Sequence, residues 1–311
     1  MIWNFILNPQ AGGGKALRFW QQLKPLLSQH NIKHHFHQTQ YQIHQTQYQG
    51  HAKVLSKELA EQGERAFVAI GGDGSVNELL QGIFESDCDL QEFVLTVAPQ
   101  GTGNDWARYH HIPKSPNAWL EFLQTANVVE HDVGVVEYGD DFLQQHVFIN
   151  MAGCGLDCHI LQQMGCAGGK SLRYYSTLLS SLYGYQGRTL HFKRLDDSSS
   201  QDVARTVLLS MFCIGRYGGA GMDFSPKAHH QSGVLHSVCV EDMPFLKRLF
   251  SLPYLLNGKI EQHSRVQAET MHALLVAGED TALFQCDGEL IGELPARLTL
   301  RPCAIRVLTR R

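Results

Sequence analysis

Apolar runs and glycine-rich turns alternate along the first third of the chain. Three short runs of β-branched and aromatic residues, at positions 1–7, 66–70 and 93–97, have the length of buried strands, and each ends at a loop that contains glycine. Apolar side chains then recur at helical spacing after each loop, and residues 51–62 show the same spacing. This order of strand, loop and helix predicts an α/β domain with a parallel sheet.

The pattern changes near residue 125, where alternating and β-rich segments take over. Strands are predicted at 128–136, 147–151, 189–193, 205–214, 234–240, 266–276, 282–286 and 296–307, with one helical stretch near 172–183. A run of strands after a run of strand–helix units indicates a second, mainly β domain. We place the domains at residues 1–126 and 127–311, and the final strand could return to the first domain.

Two stretches allow more than one interpretation. The six residues His-Gln-Thr-Gln-Tyr-Gln occur at 37–42 and again at 44–49. A repeat this short favours a solvated polar loop over a metal site, because no spacing forces its histidines to converge. The apolar residues of 244–258 predict one helix, or two helices that break at Pro253. For that stretch we favour packing into the core over contact with lipid.

The loop Gly71-Gly72-Asp73-Gly74-Ser75-Val76-Asn77-Glu78 connects a predicted strand to a predicted helix. Glycines allow the backbone to approach an anion closely, and the N-terminus of the next helix offers free N–H groups. Asp73 would repel a phosphate unless a divalent cation lies between them. The combination predicts a site for nucleotide phosphates and a metal ion, against the alternative of an ordinary turn.

Two other glycine loops follow predicted strands. Asn8-Pro9-Gln10-Ala11-Gly12-Gly13-Gly14-Lys15 follows the first strand and lacks the Walker spacing, and Gly101-Thr102-Gly103-Asn104-Asp105 follows the strand at 93–97. In an open α/β sheet, ligands bind at the carboxyl ends of the strands, so these loops and 71–78 are expected to face one crevice. Farther along, Asp287 and Glu289 flank a glycine and could act as a general base, although a solvated hairpin turn is the simpler interpretation.

Composition narrows the class of protein. The chain has 311 residues, of which 43% are hydrophobic and 18% charged, and its net charge of −4 gives no support for nucleic-acid binding. No apolar run approaches the ~20 residues of a membrane-spanning helix, and the first residues lack a basic flank, so we expect a cytoplasmic protein without a transmembrane segment. The eight cysteines match no common zinc spacing, and we expect reduced, structural thiols.

Four motifs in this order resemble the diacylglycerol kinase catalytic family, which includes soluble bacterial lipid kinases and sphingosine and ceramide kinases. They are Asn8-Pro9 with the following glycines, Gly71–Glu78, Gly101–Asp105 and Asp287-Gly288-Glu289, and the resemblance extends to Gly215-Arg216-Tyr217-Gly218-Gly219 and Ser225-Pro226-Lys227-Ala228. It implies a nucleotide-binding α/β domain followed by a β-sandwich-like domain, with the active site between them. The implied reaction is transfer of the γ-phosphoryl group of ATP, with Mg²⁺, to the hydroxyl of a lipid substrate at the membrane surface.

The resemblance also implies roles for individual residues. The nucleotide-binding positions are Asn8, Gly12, Gly13, Gly14, Thr46, Gly71, Gly72, Asp73, Gly74, Ser75, Asn77, Thr102 and Asn104. Thr39 is an identical candidate for the place of Thr46 because of the repeat. Asp73, Asp105 and Asp132 correspond to acidic positions of the magnesium network, and Asp73 is also expected to be catalytic. Asp287 and Glu289 supply the general base, and the sequence does not separate their roles.

One position departs from the family. Where the family usually has an Asp–Gly pair that helps to hold a structural magnesium, this chain has Ser232-Gly233, and a hydroxyl is a poorer ligand for a hard cation. Two other functions remain open: phosphorylation of a soluble acceptor such as NAD, by an enzyme that shares the Gly-Gly-Asp-Gly loop, and nucleotide binding by a regulator without catalysis. The sequence leaves undecided which lipid is the acceptor and whether the chain forms a homodimer.

Overall fold

A computed structural model of the chain describes residues 2–29, 40–165, 171–278 and 282–310. The chain divides into two compact units. Unit 1 comprises Met1–His131 and Cys303–Arg311, and unit 2 comprises Asp132–Pro302. Unit 1 contains parallel strands and unit 2 is rich in antiparallel strands, which confirms the predicted fold class.

Unit 1 is an α/β unit built on a parallel sheet. Its elements are β1 (Ile2–Leu7), α1 (Ala11–Gln29), β2 (Gln40–Gln45), α2 (His51–Glu61), β3 (Ala66–Gly71), α3 (Asp73–Glu85), β4 (Val94–Pro99), α4 (Asp105–Tyr109), α5 (Pro116–Thr125), the start of β5 (Asn127–Tyr138) and the end of β17 (Ala296–Thr309). The strand order is β2-β1-β3-β4-β17, and neighbouring strands run parallel. β3 and β4 are buried at every position, as is typical of parallel strands covered on both faces.

Two predictions for unit 1 are corrected. The polar stretch Gln40–Gln45 forms strand β2 rather than a solvated loop. β2 lies at the end of the sheet order and pairs with β1, so its outer side faces water and polar side chains are tolerated there. Helix α5, which the pattern did not predict, packs Trp119 and Phe122 into the core. Thr39 and the first part of the repeat lie outside the described residues.

Unit 2 is rich in antiparallel strands. Its elements are the rest of β5, β6 (Gln144–Phe148), β7 (Met151–Gly155), α6 (Leu156–Met164), α7 (Ser171–Gly184), β8 (Arg188–Arg194), β9 (Val203–Cys213), β10 (Tyr217–Gly218), β11 (Met222–Asp223), β12 (Leu235–Glu241), α8 (Phe245–Leu256), β13 (Val266–Met271), β14 (Ala273–Gly278), β15 (Leu283–Cys286), β16 (Glu289–Glu293) and the rest of β17. The main strand path is β16-β15-β7-β9-β8-β14-β17, and β12 joins β9 to β13. Buried side chains form two clusters, one around Phe212 and Phe284 and one around Leu156 and Leu182.

Three strand and helix predictions for unit 2 are corrected. The segment 147–151 belongs to two strands, because the chain turns at Ile149 and Asn150 between β6 and β7. The segment 266–276 likewise divides at His272 into β13 and β14. Helix α6 precedes α7, whereas the pattern predicted one helical stretch in this region. Short 3₁₀ helices occur at Leu90–Glu92, Asp140–Phe142 and Ile260–Gln262.

The segment 244–258 forms one helix, α8, which continues through Pro253. Pro253 lies in an exposed position, where water can bond the backbone carbonyl that the missing N–H leaves without a partner. The interpretation of the apolar stripe as core packing is wrong for several of its members, since Leu246 and Phe250 are 63% and 74% exposed.

The described cysteines, seven in number, are free thiols, and five of them are buried. Cys166 lies outside the described residues. Across the described part of the chain, no helix combines the length and apolar character needed to span a bilayer.

Candidate active site

Three loops meet at the carboxyl edge of the unit 1 sheet. Residues 8–14 follow β1, residues 71–78 follow β3 and residues 99–105 follow β4. The amide of Asn8 donates to the carbonyl of Ile70 over 3.1 Å, and the amides of Gln100 and Gly101 donate to the carbonyl of Gly71 over 2.6 and 3.0 Å. The structure thus brings together the loops that the sequence predicts to share one edge.

Glycine is required at positions 72 and 101 because the second and third loops touch each other. A Cβ atom added to Gly101 would lie 2.4 Å from the Cα of Gly72, and one added to Gly72 would lie 2.9 Å from the Cα of Gly101. From the sequence alone, these glycines are interpreted as positions where an anion approaches the backbone closely. Contact between the two loops is sufficient to require glycine at both positions.

Glycine in the first loop is required for two reasons. A Cβ added to Gly12 would lie 2.0 Å from the carbonyl oxygen of Gln100 in the third loop, and the backbone of this loop is left-handed. Gly12, Gly13 and Gly14 have φ angles of 59°, 68° and 83°, in the left-handed region, so the right-handed part of α1 begins only after them. A Cβ added to Gly13 would meet no described atom within 4 Å, which means that backbone conformation alone requires glycine there. The side chain of Asn8 accepts the amide of Gln10 over 3.1 Å and so stabilises the preceding turn.

The carboxylate of Asp73 connects the second loop to the third. Its Oδ2 atom accepts the backbone N–H of Asp105 over 3.1 Å, and its Oδ1 atom accepts that of Trp106 over 3.2 Å. Asp73 therefore caps the first turn of α4 from another helix. Burial raises the pKa of the Asp73 carboxyl, and these backbone hydrogen bonds oppose the increase. A Cβ added to Gly103 would lie 3.1 Å from Oδ2 of Asp73 and 3.2 Å from Oδ2 of Asp105, so the two carboxylates flank the same glycine.

Asp73 and Asp105 fit a Mg²⁺ ion that is shared with nucleotide phosphates. Magnesium in such sites is usually held by one or two carboxylates together with phosphate oxygens and water. A cation would also offset the repulsion between two neighbouring, enclosed carboxylates. Within the described residues, no group of three or more His, Cys, Asp or Glu side chains could hold a metal, so an ion here would take its other ligands from the nucleotide and water.

The remaining predicted nucleotide-binding residues lie along the same edge. Gly74, Ser75 and Asn77 lie in the first turns of α3, and Thr102 is exposed in the third loop. Asn104 closes that loop, because its side chain accepts the Gly101 amide over 2.9 Å and donates to the Gly101 carbonyl over 2.7 Å.

Thr46 directly follows β2. The chain beyond it is held by Glu78, a residue of the 71–78 motif to which sequence reasoning assigned no role. The Thr46 amide donates to the carbonyl of Leu7 over 2.9 Å. Farther on, Oε1 of Glu78 accepts the amide of Gly50 over 3.1 Å at the start of α2, and burial raises the pKa of Glu78. Gly50 has no side chain with which to cap α2, which is the signal that could have pointed to a cap from elsewhere.

A second set of predicted residues lies in unit 2. Asp287 and Gly288 form the two-residue turn between β15 and β16, with φ angles of 48° and 89°, as Asp-Gly hairpin turns favour. The Asp287 carboxylate accepts the backbone N–H groups of Ile149, Asn150 and Met151 over 2.9, 2.9 and 3.0 Å. Both Asp287 oxygens therefore hold the turn against the chain between β6 and β7. Glu289, the next residue after the turn, is partly exposed.

Asn150 extends this arrangement to the motif at 215–219. Its carbonyl accepts the amides of Ile214 and Gly215 over 2.9 and 2.8 Å, and its side-chain amide donates to the carbonyl of Tyr217 over 2.9 Å. A Cβ added to Gly215 would lie 2.0 Å from Oδ1 of Asn150. Two motifs of unit 2, 215–219 and 287–289, are thus connected through one asparagine to which sequence reasoning assigned no role.

Asp132 lies in unit 2, whereas Asp73 and Asp105 lie in unit 1. The buried Asp132 accepts the amide of Gly233 over 2.8 Å, and its own amide donates to the carbonyl of His230 over 2.7 Å. The Ser232 hydroxyl donates to the carbonyl of Val234 over 3.0 Å. The serine that departs from the family pattern is therefore part of a local turn that Asp132 holds in place.

A narrow apolar cavity lies beneath α7 and α8 in unit 2. Its volume is about 60 Å³. Its lining includes Ile160, Leu182, Leu208, Leu252 and Leu255.

The cavity wall contains one carboxylate, Asp157, together with the polar residues Arg248 and Ser251. Burial raises the pKa of Asp157 to about 6. Its Oδ2 atom accepts the side-chain amide of Gln285 over 3.0 Å. Gln285 in turn accepts the amide of Gly288 over 2.9 Å. The cavity wall is therefore two hydrogen bonds away from the turn that carries Asp287 and Glu289.

Comparison with known proteins agrees with this arrangement. Residues 3–136 match the diacylglycerol kinase catalytic domain, and residues 154–309 match the YegS C-terminal NAD kinase beta sandwich-like domain. The chain belongs to the diacylglycerol kinase family of lipid kinases. This confirms the resemblance seen in the motifs and makes the protein a phosphotransferase.

Several members of this family resemble the chain along most of its length. A Bacillus subtilis protein named "Putative lipid kinase YtlR" is 26% identical over an alignment of 327 positions, which covers 99% of both chains. The "Diacylglycerol kinase" of Mycobacterium tuberculosis is 28% identical over 264 residues, which cover 83% of this chain and 81% of that one. The crystal structure of a diacylglycerol kinase from Bacillus anthracis shares the fold, with a TM-score of 0.76 and 19% identity over 99% of this chain and 96% of that one.

Proposed function

We propose that this lipid kinase transfers the γ-phosphoryl group of ATP to the hydroxyl group of a diacylglycerol-like lipid. The junction of three glycine loops with Asp73 and Asp105 at one sheet edge is the main support for this function. Backbone amides in such loops and at the first turn of α3 suit phosphate oxygens. Asp73 and Asp105 would hold a Mg²⁺ ion, which would supply positive charge to neutralise the transferred group.

Residues of unit 1 are proposed to bind the nucleotide, and one residue of unit 2 is proposed to accept a proton. Asp73 and Asp105 would hold the magnesium, and Asp73 also orders the third loop. The lipid hydroxyl oxygen bonds to the γ-phosphorus, the bond to the β–γ bridging oxygen breaks, and ADP leaves. We assign the hydroxyl proton to Glu289. Asp287 is a positioning residue, since both of its oxygens already accept backbone N–H groups.

The cavity in unit 2 supports a lipid as the acceptor. Its aliphatic lining would hold part of an acyl chain, and Asp157 offers the one carboxylate of that lining to a hydroxyl group. Asp157 is connected through Gln285 to the turn that precedes Glu289. A lipid hydroxyl that bonds to Asp157 would therefore lie at the part of the cavity wall that Gln285 connects to this turn.

A labelled-phosphate assay tests the proposal. The protein is incubated with Mg²⁺, γ-labelled ATP and, separately, diacylglycerol, monoacylglycerol, ceramide, sphingosine, phosphatidylglycerol or NAD. We expect label in a lipid extract, and we expect Asp105→Asn to lose it while Asp87→Asn, an exposed aspartate of the same unit, retains it. Label in NAD would overturn the lipid acceptor. ATP binding without transfer to any acceptor would overturn catalysis in favour of a regulatory role.

A further inference from the structure

We infer that the outer surface of α8, together with the end of α7, binds an anionic phospholipid bilayer. This inference rests on the proposed function, because it names the surface at which a lipid kinase would meet its substrate. Exposed positions 246, 249, 250, 253 and 254 are spaced by three and four residues and so form one face of α8. They are leucine, leucine, phenylalanine, proline and tyrosine, so the stripe that faces solvent is apolar.

Helix α8 departs from the pattern expected of a helix on a water-soluble surface, because its exposed stripe is apolar and its arginine is buried. Its buried face carries Arg248, which donates to the carbonyls of Leu182 and Tyr185 over 2.8 and 2.7 Å and to Asp242 over 2.7 Å. Surface helices normally place charged side chains outside and apolar ones inside. An exposed apolar face of this kind marks a contact with a partner or a membrane.

Helix α7 adds to the same surface. Arg248 ties the end of α7 to α8 through two backbone carbonyls, so the two helices are neighbours. Tyr183 is 76% exposed, and its ring lies 5.2 Å from that of Phe245. Leu179, one turn earlier, is half exposed. We call this set of side chains, with the exposed stripe of α8, the α7–α8 surface.

Charge favours an anionic bilayer as the occupant of the α7–α8 surface. Residues 243–260 contain no aspartate or glutamate, and their exposed charged side chains are Lys247 and Lys259, since Arg248 is buried and paired with Asp242. Both lysines are exposed next to the apolar stripe, where long side chains can reach lipid phosphates while their stems lie along apolar groups. Tyr183 and Tyr254 are of the type that concentrates at membrane interfaces.

The cavity gives a second reason to choose lipid. Leu252 and Leu255, on the inner side of α8, line the apolar cavity. The outer side of the same helix is the apolar stripe, so one helix separates the surface from the cavity. A bilayer at this surface would bring acyl chains to the helix that borders their proposed binding site.

Vesicle sedimentation tests the inference. The probes are phosphatidylcholine vesicles with and without phosphatidylglycerol. The double variant Leu246→Gln, Phe250→Gln should lower the partition coefficient roughly a hundredfold, about tenfold for each residue removed from the bilayer. Leu143→Gln is the matched control, because Leu143 is an 82% exposed leucine of the same unit outside α7 and α8, and its binding should not change. Lys247→Gln should lower binding to the anionic vesicles about fivefold.

Several outcomes would overturn the inference. Equal vesicle binding by the double variant and Leu143→Gln would do so. Conversion of a dimer to a monomer by the double variant, with vesicle binding intact, would show that a second copy covers the surface instead.

Phosphorylation of a water-soluble, short-chain diacylglycerol separates this inference from the proposed function. Normal turnover of that substrate by a protein that does not bind vesicles through the α7–α8 surface would retain the function and refute the membrane surface. Vesicle binding lost in the double variant, without phosphorylation of any lipid, would support the membrane surface and refute the function.

Discussion

Replacement of Asp157 by asparagine should stabilise unit 2 at neutral pH and reduce kinase activity. Asp157 lines an apolar cavity, and its Oδ1 atom is buried without a hydrogen-bond partner among the described residues. Its other oxygen accepts the Gln285 amide over 3.0 Å. Hydrogen bonds therefore replace only part of the hydration that the carboxylate loses on burial. Burial raises the pKa of Asp157 from 3.8 to about 6.

The sign and size of the stability effect follow from this pKa. The folded protein binds the Asp157 proton more tightly than the unfolded chain does, so the resulting stabilisation is complete below about pH 4 and is lost as the pH rises through about 6. A difference of about two pKa units corresponds to ~3 kcal/mol in the free energy of unfolding. Asparagine avoids this cost at high pH. Its amide leaves one N–H group without a partner on the apolar wall, which lowers the free energy of unfolding by about 1 kcal/mol. We expect a net gain of ~2 kcal/mol near pH 8 and a net loss of at most ~1 kcal/mol near pH 4, where the wild-type carboxyl is protonated and only the cost of the amide remains.

Urea unfolding at several pH values measures the effect. The four tryptophans, at positions 3, 20, 106 and 119, all lie in unit 1, so unit 2 must be followed by circular dichroism or by hydrogen exchange of residues 151–165. Asp141→Asn, at an exposed position of unit 2, is the control and should not change the pH dependence. A stability difference between wild type and Asp157→Asn that is the same at both ends of the pH range would refute the reasoning.

The activity of the same variant tests the proposed role of the cavity. Loss of the carboxylate that we propose to bond a lipid hydroxyl should lower kcat/KM for a long-chain lipid about tenfold, the usual effect of one charged hydrogen bond. ATP binding should not change, because the nucleotide loops belong to unit 1. A more stable variant with undiminished activity would show that Asp157 does not contact the lipid.

Three further predictions concern the loops and turns of the site. Gly101→Ala should destabilise unit 1 by about 3 kcal/mol, because its Cβ would lie 2.4 Å from the Cα of Gly72, and thermal unfolding followed by tryptophan fluorescence would show it. Asp73→Ala should abolish phosphoryl transfer and lower stability by about 1 kcal/mol through the lost helix cap; near-normal kinase activity would contradict the assignment. Glu289→Gln should lower kcat roughly a hundredfold without changing the melting temperature. Asp287→Asn should instead lower the melting temperature, and the opposite pattern would exchange the two roles.

Hydrophobic pattern alone located the buried strands of unit 1 but not its edge. β3 and β4 are buried at every position, so they appear in the sequence as continuous apolar runs. β2 is an edge strand with the sequence Gln-Tyr-Gln-Ile-His-Gln, and its pairing with β1 leaves no apolar pattern to detect. The same limit applies to α8, where the apolar stripe was visible but its direction was not. Whether an apolar face points inward or outward depends on Arg248 and its distant carbonyl partners.

The site was predictable in outline for a similar reason. Loops that follow parallel strands share one sheet edge, so the sequence could place them together. The side-chain partners could not be placed, because Asp73 bonds to residues 32 and 33 positions away and Asp287 to residues 136 to 138 positions away. Such contacts leave no local spacing in the sequence. The close approach of Gly72 and Gly101, which leaves no room for a Cβ atom, is likewise visible only in the folded structure.

Asp73 and Asp287 show why an aspartate in a glycine turn does not by itself identify a catalytic residue. Each carboxylate holds the backbone of another segment, so loss of activity on substitution would follow from disorder as readily as from lost chemistry. The two differ in their neighbours. Asp105 flanks the same glycine as Asp73 and could share a cation with it, whereas Asp287 accepts three backbone N–H groups on its two oxygens. A magnesium dependence that changes with Asp73 but not with Asp287 would therefore assign metal binding to the first and positioning to the second.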